Sequence, residues 1–358
     1  MISILYPYRN RNLQRVKNSL ESLAKQSFSQ FKVRFVDYGS SNSYSAGVKE
    51  LCDKYDFVKY VYCATEFQPW NKSRALNSVI KNLEGGYCFV ADVDMIFHPE
   101  FVEKAMQLQQ HRKTVYFQVG FLSPTDNPKD KNFTDFNNYR KSTSEATGLS
   151  LFSVKELQDL RGFDEFYHFW GAEDTDMHIR LRNAGYVVEF YNEEVLMLHQ
   201  WHPSYRSKES ENLTKELQIS GIVQLNHQHL KLAKQFKITQ VNRNNWGRIA
   251  TVEETEKLIH TPVNFEISNE KRQVDDLLFG QLPALRNNIF KVVIRQDVFQ
   301  KSSKYRLKKA AGKKVPEFYT MKSVNDKVLL HLISFYRDNP YTYRVNEDNT
   351  EIEFCVHV

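Results

Sequence analysis

The sequence predicts an α/β sandwich on a mainly parallel sheet, followed by a smaller α+β extension. Three observations point there. Apolar, strand-length runs alternate with amphipathic helices from the first residue to about residue 200, the pattern of strands joined by crossover helices. The 358 residues are 41% hydrophobic and 26% charged, enough to bury a large core and too apolar for chain-wide disorder. Past about residue 205 the alternation gives way to a polar helical stretch and then a mixed segment. This divides the chain into a main domain, residues 1–240, and an accessory region, residues 241–358.

Residues 2–6 read as a short strand ended by Pro7. Leu13, Val16, Leu20, Leu23 and Ala24 recur at helical spacing over 12–26. Residues 31–37 alternate apolar and polar and meet a turn cluster at Gly39–Ser43. A helix over 44–55, a strand over 57–62 and a helix over 72–83 follow. Gly85-Gly86 breaks that helix, and Tyr87–Ala91 is a buried strand. The polar stretch 122–147 reads as a mobile loop, 150–160 as a strand and short helix, and 174–184 as a helix closed by Gly185. Strands at 186–191 and 194–199 complete the main domain. Residues 208–236 read as one long polar helix, 241–260 as a connector or lid, and 262–358 as a separate α+β unit.

The four cysteines, Cys52, Cys63, Cys88 and Cys355, include no CxxC pair and suit a reducing compartment, with Cys88 in the core. No apolar run approaches the ~18–20 residues of a membrane span, and the N-terminus leads straight into a strand without the pattern of a signal peptide. The net charge of +6 suits a phosphate-bearing ligand or an anionic surface and is too mild to argue nucleic acid. Lys301, Lys304, Arg306, Lys308, Lys309, Lys313 and Lys314 form a run without an acid. It reads as a solvated helix face, or as a contact to anionic lipid head groups or an anionic glycan.

Ligands of parallel sheets bind beyond the strands' carboxyl ends, which singles out Pro7–Arg11, Asp37–Ser41 and Asp92–Asp94. Asp92-Val93-Asp94 closes a buried strand. Strand alternation would point both carboxylates the same way, toward Mg²⁺ or Mn²⁺ shared with a diphosphate; a helix cap or turn is the plainer reading. His199 and His202, three apart, can converge on a metal if the chain turns, or remain surface histidines. With Asp94 they would form a mixed N/O site favouring Mn²⁺ or another transition ion over Mg²⁺. In Trp170-Gly171-Ala172-Glu173-Asp174-Thr175-Asp176 the acids complement a helix dipole, but the aromatic and Gly before them suit a sugar site. Arg9 and Arg11 could clamp phosphate or cover a base, or stand in a solvated turn.

Pro7-Tyr8-Arg9-Asn10-Arg11, Asn71-Lys72-Ser73-Arg74-Ala75-Leu76-Asn77, Asp92-Val93-Asp94, Gly162-Phe163-Asp164 and Trp170–Asp176 occur in an order that resembles the β-1,4-galactosyltransferase group (family 7). The same order is similar to family 2 glycosyltransferases and to bacterial chondroitin synthase domains, over about residues 1–205. The resemblance implies a GT-A nucleotide-diphosphosugar transferase fold and inverting, Mn²⁺-dependent (or Mg²⁺-dependent) sugar transfer. It implies that Pro7, Tyr8 and Arg9 line a uridine site, Asp37 reaches uracil or ribose, and Arg74 faces the diphosphate. Asp92 would touch ribose or metal, and Asp94 and His202 would ligate the metal, with His199 where the galactosyltransferases carry Met. Asp174 matches the general base and Trp170 the aromatic wall between the two sugars. Arg11, Val93 and Gly148 complete the donor side, Glu173 stands with Asp174, and Gly171 and Thr175 join Trp170 on the acceptor side. Two departures stand out: Thr175 replaces the usual third acid, and Ala172 the second Gly.

The chemistry expected is single displacement. Asp174, ionised at pH 7 without special tuning, takes the acceptor hydroxyl proton as that oxygen attacks C1 of Gal or GalNAc on a UDP-sugar. The acceptor is expected to be a glycan or lipid-linked glycan, and the setting cytoplasmic or peripheral to the inner face of a membrane through 301–314. Rival readings are a catalytically inactive nucleotide-sugar or carbohydrate-binding module, a sugar-nucleotide pyrophosphorylase, which would want a Gly in Pro7–Arg11, and a nucleic-acid binder, disfavoured because Tyr305 is the basic run's one aromatic.

Overall fold

The computed structural model describes all residues except Asn127, Lys129, Asp130 and 204–209. The chain forms two units: Met1–Glu66, Trp70–Tyr205 and Val223–Ile249 make the first, and Phe67–Pro69, Arg206–Ile222 and Ala250–Val358 the second.

The first unit opens with β1 (Ile2–Tyr8), α1 (Leu13–Ala24), β2 (Phe31–Tyr38), α2 (Asn42–Cys52), β3 (Val58–Cys63), α3 (Lys72–Ile80) and β4 (Tyr87–Val90). It continues through β5 (Met95–Phe97), α4 (Phe101–Gln107), β6 (Lys113–Phe117), β7 (Gly120–Phe121), β8 (Arg140–Lys141), β9 (Ser150–Ser153), α5 (Val154–Asp159), α6 (Glu173–Asn183), β10 (Val187–Tyr191), β11 (Met197–His199) and α7 (Ile222–Gln235). Seven strands form one sheet in the order β10-β6-β9-β4-β1-β2-β3, in which only β9 runs antiparallel to its neighbours. A second sheet, β5-β11-β7-β8, stands beside the carboxyl ends of the first. The mixed α/β architecture with a mainly parallel sheet bears out the fold class expected from the alternation.

Buried residues of both sheet faces explain why these segments form these elements. Ile2, Ile4, Tyr6 and Tyr8 pack with α1's Val16, Leu20 and Leu23 on one face; Leu5, Cys88 and Val90 pack with α3's Leu76 and Ile80 on the other. Cys88 is fully buried and all four cysteines are free. Gly185, at φ +81°, closes α6 with its N–H on the Arg182 carbonyl.

Several expectations are corrected. Pro7 does not end β1: it stays in register with Val36, and β4 pairs no further than Leu5, so no ladder bond on that side is lost to the missing N–H. Part of 122–147 is packed, with Phe136 and Leu122 buried against Ile96, Val195 and Leu198. Residues 208–236 are not one helix. Among the described residues α7 begins only at Ile222, after Gly221 at φ +68°; Lys208 and Glu209 lie outside the described residues. The first part of the supposed lid is anchored: Trp246 packs against Leu76, Ile80 and Phe163, and the Asn242 amide donates to the Arg161 and Phe163 carbonyls.

The second unit contains α8 (Val252–His260), β12 (Phe265–Ser268), α9 (Lys271–Asp276), β13 (Ile289–Arg295), α10 (Ser303–Ala310), α11 (Met321–His331), β14 (Tyr341–Val345) and β15 (Glu351–His357). Its sheet runs β12-β13-β15-β14, and Phe67 accepts at its carbonyl from the Tyr343 N–H at 2.8 Å. Among the described residues no helix is long and apolar enough to cross a membrane.

Candidate active site

The carboxyl ends of β1, β2 and β4 carry the three clusters singled out above. Asp92, Val93 and Asp94 lie in the turn between β4 and β5, not on the strand itself, so turn geometry rather than strand alternation aims the two carboxylates. β11 pairs with β5 so that His199 stands opposite Met95, next to Asp94. The chain then turns and returns His202 to the same place. His202 Nε2 lies 3.3 Å from Asp94 Oδ2 and His199 Nε2 3.7 Å from Asp94 Oδ1, and one ligand atom of each residue falls within 4.8 Å of the others.

This trio fits a divalent cation. Asp94 is 8% exposed and its Oδ1 is buried without a hydrogen-bond partner. The Pro203 carbonyl, 2.9 Å from His202 Nδ1, can only accept, so Nδ1 carries a proton and Nε2 faces Asp94, a donor to it while protonated and free to ligate a cation once that proton leaves. Burial would raise the Asp94 carboxyl, but the His202 hydrogen bond and the two imidazoles hold it below the usual range. The Asp94 bond raises His202. Gln200, 2% exposed, steadies the group: its N–H and side-chain amide donate to the Asp94 carbonyl at 3.1 Å each, and the amide also donates to the Arg15 carbonyl at 2.9 Å.

The acidic pair opens α6. Lys72, the first residue of α3, bonds Asp174 Oδ2 at 2.7 Å and lies 3.2 Å from Glu173 Oε1. Burial raises Asp174 well above the usual carboxylate range; Lys72 opposes this, while the charges of Glu173 and Asp92 add to it. The environment therefore tunes Asp174, contrary to the expectation of an ordinary carboxylate. Gly148 keeps room for it, since a Cβ there would stand 3.2 Å from Asp174 Oδ2. Thr175 Oγ1 is 2.9 Å from Thr147 Oγ1, which ties α6 to the loop before β9.

Trp170 is 42% exposed, on a loop whose Phe169, Gly171 and Ala172 all have positive φ. Asn226 of α7, fully buried, donates to the carbonyls of His168 and Trp170 at 3.1 Å each and so fixes the loop.

On the donor side the structure brings some residues forward and sets others back. Arg11 is half-buried beside the charges of Asp94 and Asp92, which oppose the lowering of its guanidinium by burial. Arg9 is also half-buried, with one terminal nitrogen donating to the Glu66 carbonyl at 2.8 Å. Pro7, Tyr8 and Val93 are buried, with the Tyr8 hydroxyl on the Arg11 carbonyl. Asp37 is fully buried; its oxygens accept from the Ser40 N–H at 2.9 Å and the Tyr60 hydroxyl at 2.8 Å. Arg74 is 5% exposed, and its Nε and one terminal nitrogen bond Glu165 at 2.9 and 2.8 Å. Where the diphosphate was expected, these two donors meet a buried carboxylate.

Three contributors went unassigned in the sequence: Lys72, Gln200 and Asn226. A legible signal existed for the first alone. A cation at the first position of a helix opposes the dipole and calls for acids nearby.

The mainly parallel α/β sheet carries a carboxylate–imidazole trio and an acidic pair past its strand ends, an arrangement consistent with a transferase unit of the GT-A type. Residues 3–159 match the model of glycosyl transferase family 2, and residues 128–202 match the model described as the N-terminal domain of galactosyltransferase. The two matches support a glycosyltransferase unit resembling families 2 and 7, in agreement with the motif order. Among solved structures, S. aureus TarS 1-349 is 17% identical, over 56% of this chain and 60% of its own, with a TM-score of 0.43. TarS 1-349 in complex with UDP-GlcNAc is 16% identical, over 66% and 69%, at 0.43. The mannosyltransferase PcManGT from Pyrobaculum calidifontis, in complex with GDP-Man and Mn2+, is 17% identical, over 57% of each chain, at 0.41. The chain thus spans 60% of the first of these.

Proposed function

We propose that the protein is an inverting, divalent-metal-dependent glycosyltransferase that moves a hexose or N-acetylhexosamine, Gal or GalNAc foremost, from a UDP-sugar to a hydroxyl of a glycan or lipid-linked glycan. The observation that carries the reading is the convergence of Asp94, His199 and His202 within 4.8 Å, in the unit that also presents Asp174 and Glu173. Two imidazoles and a carboxylate favour Mn²⁺ over Mg²⁺. When bound there, the ion would neutralise charge developing on the leaving diphosphate.

The chain's own residues supply the rest. Asp174 accepts the acceptor hydroxyl proton as that oxygen bonds to C1, and the bond from C1 to the diphosphate oxygen breaks on the opposite face. One base and one displacement give inversion. A raised Asp174 is a stronger base than an ordinary carboxylate, and Lys72, bonded to it, opposes the rise. Trp170, 42% exposed on the loop that leads into the acidic pair, offers a face to sugar C–H groups. Arg11, beside Asp92 and Asp94, is the guanidinium we place nearest the diphosphate, while Arg74 and Asp37 position the strand ends behind it. We place the enzyme in the cytoplasm.

Donor hydrolysis and binding across UDP-, GDP- and dTDP-sugars, with and without Mn²⁺, test this for the wild type and Asp94→Ala. Metal-dependent turnover of one UDP-sugar, lost in the variant, is the expected result. Donor binding without turnover in the presence of acceptor glycans would favour an inactive binding module. Binding of no nucleotide would overturn both readings.

A further inference from the structure

Residues 301–314 carry seven cations and no acid. The structure folds their middle into α10, whose N-terminus is capped by Ser302 Oγ accepting from the Tyr305 N–H at 3.1 Å. Tyr305 fastens the helix: its ring meets Phe299 at 5.5 Å and Phe318 at 5.8 Å, and its hydroxyl donates to the Pro316 carbonyl at 3.2 Å. No residue of α10 is buried, and all seven cations are exposed. Lys304 and Lys308 stand one turn apart with no acid on the helix between them, an arrangement that costs stability unless an anion is supplied from outside. The exposed Glu317 nearby is paired with Lys271 at 2.7 Å.

Two aliphatic side chains stand out among these charges. Leu307 is 70% exposed and Val298, on the turn just before the helix, 82%. Lys304 and Ala311 share the face of Leu307. A nucleic acid would call for exposed aromatic faces, and the aromatic of this run is turned inward against Phe299 and Phe318. A soluble polyanion would answer the lysines and leave Leu307 and Val298 in water. A bilayer with anionic head groups answers both, because lysines hold the phosphates while short aliphatic groups enter the acyl boundary.

We propose that α10 and the turn before it form a peripheral contact to an anionic lipid surface, with Leu307 and Val298 as the inserting groups. This rests on the second unit alone and is independent of the transfer chemistry. The test is flotation of the full chain with phosphatidylcholine vesicles, either pure or containing about one third phosphatidylglycerol. Parallel titrations use soluble polyphosphate.

Binding is expected on the anionic vesicles only and should fall with salt. It should weaken by about two to three orders of magnitude in Lys304→Gln/Arg306→Gln/Lys308→Gln/Lys309→Gln. These side chains are exposed, so an unchanged melting temperature checks that this variant folds. Leu307→Trp should shift its emission to the blue on anionic vesicles and stay unshifted with polyphosphate. Absence of binding to anionic vesicles at low salt would overturn the proposal. So would full binding by the fourfold variant, or an unshifted Leu307→Trp on vesicles with tight binding to polyphosphate.

Discussion

Lys72 stands where a helix's backbone disfavours a cation, and the two carboxylates of α6 are what hold it there. Its removal has a signed consequence. Burial and Glu173 already raise Asp174, and Lys72 opposes them, so Lys72→Gln leaves Asp174 higher still. The acidic limb of the kcat/KM profile for sugar transfer is expected to move to higher pH; an unmoved limb would place Asp174 outside the proton transfer. A second residue tests the fold rather than the reaction. Ser150 Oγ gives its proton to the Thr147 carbonyl, so it accepts from His178 Nε2, and His178 Nδ1 is left buried without a partner. Burial pushes His178 down to about 3. Between the ordinary histidine range and that value the unfolded chain binds the proton and the folded one does not, so this residue makes stability fall as pH falls from about 6.5 toward 3. The loss is on the order of a few kcal/mol. His178→Phe should flatten that part of the stability–pH curve, read by urea unfolding at stepped pH.

At the scale of elements, the site depends on a latch between α3 and the turn Gly162-Phe163-Asp164. The Asn77 side chain accepts from the Phe163 N–H at 2.8 Å and donates to the Phe163 carbonyl and to Glu165. Glu165 in turn holds Arg74 and the Gly247 N–H. Gly162 sits at φ +69°, where a Cβ would fall 2.7 Å from Asn77 Cγ and 2.8 Å from the Trp246 ring. Gly162→Ala is therefore expected to cost about 2–4 kcal/mol and to lower the melting temperature. An unchanged melting temperature would show that the latch is soft. Ala172 occupies a related kind of position, at φ +76°, one residue before the acidic pair. The departure from Gly seen in the sequence thus falls where the backbone favours Gly most.

At the scale of the whole molecule, the two units interleave along the chain. Phe67–Pro69 belongs to the second unit, where the Gln68 amide donates to the Tyr341 carbonyl at 2.9 Å and Arg344 stacks 3.7 Å from the Phe67 ring centroid. A chain cut after Ile249 would lose every partner of that segment in β14. It is expected to be cleaved early near residues 67–69 in limited proteolysis, whereas the full chain resists there. Equal resistance would show that the first unit is self-sufficient.

Local pattern was enough for most of the first unit. The spacing of Val16, Leu20 and Leu23 and of Leu76 and Ile80 is set by helix period against a sheet, and the α/β class followed. The order of five short motifs gave the transferase class, because each motif is local and their succession follows the chain. Local pattern failed where distant residues decide. It ended β1 at Pro7, since only the length of β4 tells whether a ladder bond is at stake. It merged 208–236 into one helix, since polar helical composition does not reveal a break at Gly221. It put Asp92 and Asp94 on a strand rather than in a turn. It sent Arg74 to the diphosphate, while its partner Glu165 lies 91 residues away. The sequence by itself determined the sheet, the acidic pair and the candidate metal ligands, because strand and helix periodicity and residue chemistry are carried within a few positions. Tertiary structure decided which charges face one another: the Asp94 trio, Lys72 on Asp174 and Arg74 on Glu165. Electrostatics acts through space, across gaps that no local pattern spans.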